Sequence, residues 1–167
     1  LLTTASGLYR YDIHDVVRCT GFLGTTPTLE FLNKGAHISS VTGEKISESQ
    51  IVAAVRQSVD SLGLDLGHFT VAPPWGQPPR YQLLGEETNL PSAVVGAKIV
   101  ANTDHNLKAL NPEYHEKRNT GRLGPMTMQL LPKGTWEQFC LKRQSQLGGS
   151  LEQYKHPCLV PQLKFYE

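Results

Sequence analysis

A chain of 167 residues with 39% hydrophobic side chains suits one domain, or one domain with an appendage. Sixteen basic against fifteen acidic residues leave a formal net charge of +1. That balance gives no reason to expect nucleic acid as a partner, and no apolar run is long enough to span a bilayer. Cys19, Cys140 and Cys158 are odd in number and lack metal-ligand spacing, which points to free thiols in a reducing, cytoplasmic setting rather than a disulfide scaffold. The chain opens on LLTTASGLYRY, with neither an initiating methionine nor a signal-peptide layout, so it reads as a piece of something larger that starts inside β-structure.

Leu8 to Tyr11, Val16 to Leu23 and Leu29 to Leu32 are rich in β-branched and aromatic residues, with Gly24-Thr25-Thr26-Pro27 between the last two. This is a strand and hairpin signal. A further short strand is expected over Ala36 to Val41, ending in the turn Thr42-Gly43-Glu44-Lys45. Ser47 then opens a helix, with Gln50 completing a capping box, Ile51, Val55, Val59 and Leu62 on one stripe, and Gly63 as the stop. His68 to Ala72 reads as a strand, and Pro73 to Pro79 as a rigid loop. Arg80 to Gly85 completes a hairpin.

A second helix follows Leu90-Pro91-Ser92, with the proline near its first turn, and carries Val95, Ile99 and, further along, Leu107 and Leu110. Asn111-Pro112 ends it, and Glu113 to Arg118 adds a short helix. Gly121 to Pro125 is a loop and Met126 to Leu131 a strand. A third long helix starts at Thr135, with Trp136, Phe139 and Cys140 inward, and ends at Gly148-Gly149. The remainder, through Gln153 to Pro157, is an extended tail closing on Leu163, Phe165 and Tyr166. The mixture predicts an α+β fold: a small mixed β-sheet with helices packed on it, preceded by a short β segment.

Within the stretch Gly7 to Lys45, two residue types stand out. Asp15 offers a carboxylate able to accept from both hydroxyls of a ribose, and Lys45 offers a mobile point charge suited to phosphate. A hinge around Asn33 and Lys34 between them would join two domains of a nucleotide-using enzyme.

Four blocks, in order, carry a resemblance to a known family. They are Thr3-Thr4-Ala5-Ser6-Gly7-Leu8-Tyr9-Arg10-Tyr11 with Asp15-Val16-Val17-Arg18; Leu29-Glu30-Phe31 with Gly43-Glu44-Lys45; Leu107-Lys108-Ala109-Leu110-Asn111 with Tyr114 and Arg118; and Gly124-Pro125 with Gln153-Tyr154-Lys155-His156-Pro157. Together they resemble the carboxy-terminal part of the Gretchen Hagen acyl-acid amido synthetases, the auxin-responsive group of the adenylate-forming superfamily. The resemblance implies an enzyme that uses ATP and Mg2+ to adenylate a carboxylic acid and then passes the acyl group to an amino acid. It also implies that residues 1–33 close a large amino-terminal adenylation domain and that 34–167 form a mobile lid, which is not active alone.

The resemblance further assigns roles. Asp15 matches the ribose-binding aspartate, against the ordinary alternative of an acid in a strand connection. Lys45 matches the catalytic lid lysine that meets the ATP phosphates, against an ordinary solvated lysine ahead of a helix cap. Tyr9 and Arg10 match positions lining the nucleotide, although an aromatic, half-buried strand is equally ordinary there. Tyr114 and Arg118 share a helix face and fit a structural role better than contact with the acceptor. Lys155 resembles a second active-site lysine. Two departures stand out: His14 where the family has glycine, and Cys158 where it has arginine. No histidine or cysteine spacing indicates a metal site. Two other readings compete: a thioester-forming ligase using coenzyme A, and a non-enzymatic α+β ligand-binding module.

Overall fold

The computed structural model describes residues 2–11, 15–34, 38–90, 92–147 and 155–161. The chain divides into two compact units, Leu1–His37 and Ile38–Glu167.

The first unit is built on one antiparallel hairpin, β1 (Asp15–Leu23) and β2 (Thr26–Lys34). Gly24, at φ +62°, supplies the left-handed turn residue. The second strand starts earlier than the sequence predicts, with Pro27 opposite Phe22. Two register shifts, between Val16 and Val17 and between Cys19 and Gly21, spoil the alternation expected of a regular strand. Leu8 to Tyr11 is not a strand. Positive φ at Gly7 (+102°) and Arg10 (+48°) breaks the extended path, leaving an isolated antiparallel bridge between Leu2 and Tyr11. Phe22, Leu23, Leu29 and Phe31 are all at least half exposed. A lone two-stranded hairpin is at best marginal in water, and such a set of apolar side chains marks a surface built for contact.

The second unit opens with two short antiparallel strands, β3 (Ile38–Ser39) and β4 (Ile46–Ser47); of the strand expected over Ala36 to Val41, Ala36 and His37 lie outside the described residues. Then come α1 (Glu48–Asp60), β5 (Phe69–Ala72), β6 (Gln82–Glu86), α2 (Ala93–Leu110), α3 (Pro112–Asn119), β7 (Thr127–Leu131) and α4 (Thr135–Leu147). Strands order as β5-β6-β7, antiparallel then parallel, so the sheet is mixed as predicted. Leu159 adds a parallel bridge beside Val71, with the Val71 amide donating to the Cys158 carbonyl at 2.8 Å.

The period-2 rule for strands explains the layering. Val71 and Leu83 point to one face, where they meet Ile51 and Val55 of α1 and Ile99 and Leu107 of α2. Ala72 and Leu84 point to the other, where Trp136 of α4 covers them. Capping fixes where the helices start. The Ser47 hydroxyl accepts from the Gln50 amide while the Gln50 side chain accepts from the Ser47 amide, the reciprocal box predicted for α1. Ser92 caps α2, which begins at Ala93, after the Leu90-Pro91-Ser92 run as expected; Pro91 lies outside the described residues. Leu110 is exposed at the helix end. The predicted stop at Gly148-Gly149 and the terminal Leu163, Phe165 and Tyr166 also lie outside the described residues. Among the described residues no helix is long and apolar enough to cross a membrane.

Candidate functional site

The loop between β3 and β4 is closed on its own acidic side chain. Glu44 is fully buried. Its carboxylate accepts from the Val41 amide at 2.7 Å, from the Thr42 amide and hydroxyl at 2.8 Å each, and from the Tyr81 hydroxyl. A buried carboxylate is tolerated only when its lone pairs are met in this way. Burial works to raise the Glu44 carboxyl, but the Tyr81 hydroxyl and the loop's own donors outweigh it and hold it below the usual carboxylate range. Burial, together with the Glu44 charge, pushes the Tyr81 phenol far up, so it stays a donor.

Turning Glu44 inward turns the next residue out. Lys45 is exposed and sits at φ +46°, a left-handed conformation that costs a non-glycine residue about 1 kcal/mol or more. Strain of this kind persists only where the surroundings impose it. Here they do: Asn111 Nδ2 donates to the Glu44 carbonyl at 3.1 Å, lies 3.5 Å from the Lys45 carbonyl, and reaches Gln50 Oε1 at 3.2 Å. Asn111 Oδ1 meanwhile caps α3 by accepting from the Tyr114 amide at 2.8 Å. One buried amide thus ties the Lys45 loop, the start of α1 and the start of α3 together.

Behind this brace lies an ionic node. Asp104 of α2 takes a two-pronged contact from Arg118, at 2.8 and 3.1 Å, a hydrogen bond from the Tyr114 hydroxyl at 2.5 Å, and an ion pair from Lys108 at 2.9 Å. Burial opposes ionisation of Asp104, yet these donors hold it below the usual range. Arg118 also donates to the Leu123 carbonyl at 2.9 Å. Tyr114 and Arg118 therefore join α3 to α2 and to the following loop, which is the structural role favoured from sequence.

A profile of the GH3 family C-terminal domain matches residues 49–164, and one of the GH3 family central domain matches residues 1–34. The chain belongs to the GH3 family. Among curated GH3 relatives it is similar to the probable indole-3-acetic acid-amido synthetase GH3.1 of Oryza sativa subsp. japonica, 31% identical over 96% of this chain and 27% of the relative. It is 28% identical to the jasmonoyl-L-amino acid synthetase GH3.5 of the same plant, over 96% of this chain and 28% of that one. A solved GH3.15 acyl acid amido synthetase superposes on 98% of this chain and 30% of its own, with a TM-score of 0.81 and 27% identity. The chain spans a little over a quarter of the length of the curated GH3 relatives it matches. The likeness supports the α+β fold expected from sequence.

Of the residues that the GH3 resemblance singles out, Tyr9, Arg10 and Asp15 belong to the first unit, and Lys45 and Lys155 to the second. Tyr9 and Arg10 are exposed, and the Arg10 amide donates to the Thr3 hydroxyl at 3.2 Å. Asp15 opens β1, its backbone in register with Lys34. His14, the departure before it, lies outside the described residues. Lys155 is exposed at the start of the segment that carries Leu159 to β5. Sequence reasoning missed Glu44, Tyr81, Asn111 and Asp104 as the supports of the Lys45 loop and of α3 in this GH3 C-terminal domain. An acid beside a lysine in a glycine turn looks solvated, and Asn111 looked only like a helix end. The neighbouring Asn111-Pro112 step was the one available signal of a cap.

Cys158 and His156 form a separate half-buried group. His156 stacks on His68 at 4.8 Å, meets the edge of Trp136 at 4.6 Å, and sits with Nε2 2.9 Å from the Thr70 hydroxyl. Burial, helped by the adjacent His68, pulls its pKa down to about 4. Burial, with Glu48 nearby, pushes the Cys158 thiol up to about 11, the opposite of an activated nucleophile.

Proposed function

We propose that this chain is the lid, with the end of the preceding domain, of an acyl-acid amido synthetase that consumes ATP. The domain boundary falls at Asn33 and Lys34, giving 1–33 to the amino-terminal adenylation domain and 34–167 to the lid. The whole polypeptide activates a small carboxylic acid and transfers it to an amino acid, in the cytoplasm, and the lid alone is inactive. The relatives' names, which specify amido synthesis from indole-3-acetic and jasmonic acids, support amide over thioester formation. The observation that carries the proposal is the presentation of Lys45: an exposed ammonium on a strained loop whose backbone is braced from behind by Glu44 and Asn111.

In the first half-reaction a carboxylate oxygen of the acid bonds to the α-phosphorus of ATP, and the electron pair of the breaking bond leaves with pyrophosphate. Lys45 meets the negative charge that builds on the α-phosphate, where a pre-oriented cation lowers the barrier without reorganising. In the second, the amino acid's amine attacks the acyl carbon and AMP departs. Asp15 holds the ribose hydroxyls, Tyr9 and Arg10 line the nucleotide, and Lys155 is a second active-site cation. The charges offered to the phosphates are the cations of Lys45 and Lys155. Mg2+ enters with the nucleotide. The exposed apolar residues Phe22, Leu23, Leu29 and Phe31 suit burial against the amino-terminal domain.

The test is ATP–pyrophosphate exchange by the full-length polypeptide over a panel of carboxylic acids, with Lys45→Ala alongside. Acid-dependent exchange that falls about a hundredfold or more in the variant is expected for a lost transition-state contact. Full exchange by the variant would return Lys45 to the solvated surface. Supplying amino acids and coenzyme A separately decides which acceptor yields product.

A further inference from the structure

We propose that Lys117 is a second phosphate-binding cation beside Lys45, directed at the polyphosphate of the nucleotide and at the pyrophosphate it releases. This rests on the reading of Lys45 given above. Lys117 lies in the last turn of α3, half-buried, and its side chain runs along the Lys45 loop: a Cβ placed on Gly43 would stand 4.0 Å from Lys117 Cε. Gly43 is two residues before Lys45 and has φ +104°, so the loop bends where the Lys117 stem passes. Position is fixed at both ends of α3. Asn111 bonds its start to the Lys45 loop, and the Lys117 carbonyl accepts from the Leu123 amide at 3.0 Å.

Anions that could neutralise Lys117 are committed elsewhere. Glu44 points inward to Val41, Thr42 and Tyr81, and Asp104 is taken by Arg118, Lys108 and Tyr114. Glu113, one turn earlier on the same helix, forms no ion pair with Lys117, nor does any other described carboxylate. Lys45 on the loop and Lys117 with its stem against it, neither with a protein counter-ion among the described residues, raise the local potential and favour a multiply charged anion. Lysine, a compact point charge on a long stem, suits the changing geometry of a departing pyrophosphate better than a fixed fork would.

The experiment is ATP–pyrophosphate exchange by the full-length polypeptide, comparing wild type with Lys117→Met, Lys117→Arg and Lys45→Ala. Methionine keeps the stem and removes the charge. Lys117→Met is expected to raise the half-saturating pyrophosphate and ATP concentrations about tenfold, as for one charge-assisted contact, with the KM for the acid unchanged. Lys117→Arg should restore saturation to within about threefold, which a purely packing role would not produce. The salt dependence of pyrophosphate saturation should also be shallower in Lys117→Met. Unchanged saturation in Lys117→Met, with exchange lost in Lys45→Ala, would overturn the role of Lys117 and leave the parent reading standing. Full exchange in Lys45→Ala would overturn both.

Discussion

Asn111 Nδ2 donates to the Glu44 carbonyl at 3.1 Å across 67 positions of sequence, while Oδ1 of the same side chain caps α3. A single amide thereby serves as helix cap and as brace for the loop that presents Lys45. Sequence pattern shows the first duty; only the folded chain shows the second.

Separating the two duties gives the first prediction. Asn111→Ser keeps an oxygen able to cap but lacks the reach and second donor needed for the Glu44 carbonyl. The buried Glu44 carbonyl is then unmet, and the stability loss should be about 1–3 kcal/mol. Asn111→Ala loses the cap as well and should cost about 1 kcal/mol more than Asn111→Ser. Urea denaturation measures the difference. If the brace matters for presenting Lys45, exchange activity in Asn111→Ser falls well beyond what its stability loss predicts. Equal stability losses in the two variants would mean that the cap contributes nothing, and no loss in Asn111→Ser would mean the same of the brace.

Acid should weaken the C-terminal domain in two stages. His156 has its pKa lowered in the folded state to about 4, from an ordinary value of 6.5. Between those values the unfolded chain binds the proton and the folded one does not, so stability is complete above pH 6.5 and declines as pH falls towards 4. For a partly exposed ring, screening reduces the effect to roughly 1–2 kcal/mol. Glu44 and Asp104, both held below their ordinary values, add stability that is present above pH 4.5 and is lost as pH falls through their folded values. Thermal melts from pH 7.5 to 5 should therefore slope downward in wild type, and His156→Gln should flatten that limb while leaving the steeper fall below pH 4.5. A slope unchanged by His156→Gln would remove His156 as its source.

How much of this was legible in the sequence depends on range. Local signals read well. Ser47 with Gln50 wrote the start of α1, Gly24 marked the hairpin turn, and the run Met126 to Leu131 gave β7. The hairpin of β5 and β6 followed from apolar runs on either side of a proline loop. Failures came where a local preference was overridden. Tyr9-Arg10-Tyr11 has strand composition, but left-handed Arg10 interrupts it. Glu44 has the composition of a solvated turn, yet Tyr81, 37 positions later, closes over it. Asp104 has one readable partner, Lys108 at i,i+4 on the same helix, but nothing in the sequence signals that Tyr114 and Arg118 of the next helix converge on it as well. Side chains that meet across a helix break leave no period and no spacing to read. The lysine itself was visible by resemblance; the machinery that holds it was not.

That machinery leads to the last prediction, which uses the backbone rather than the charge. Lys45 occupies φ +46°, where glycine rests without penalty and lysine does not. Lys45→Gly relieves the strain but also loosens the unfolded chain, and the two effects oppose each other. The balance should leave the folded state as stable as wild type or up to about 1 kcal/mol more so. Exchange activity should nevertheless fall as far as it does in Lys45→Ala, because the ammonium is gone. Lys45→Ala, by contrast, keeps the left-handed penalty and should gain nothing in stability. Denaturant melts beside exchange assays separate the outcomes. A stable, inactive Lys45→Gly would mean that the loop's strain serves the placement of a charge. A destabilised Lys45→Gly would mean instead that the lysine side chain holds the loop, and that Glu44 and Asn111 alone do not.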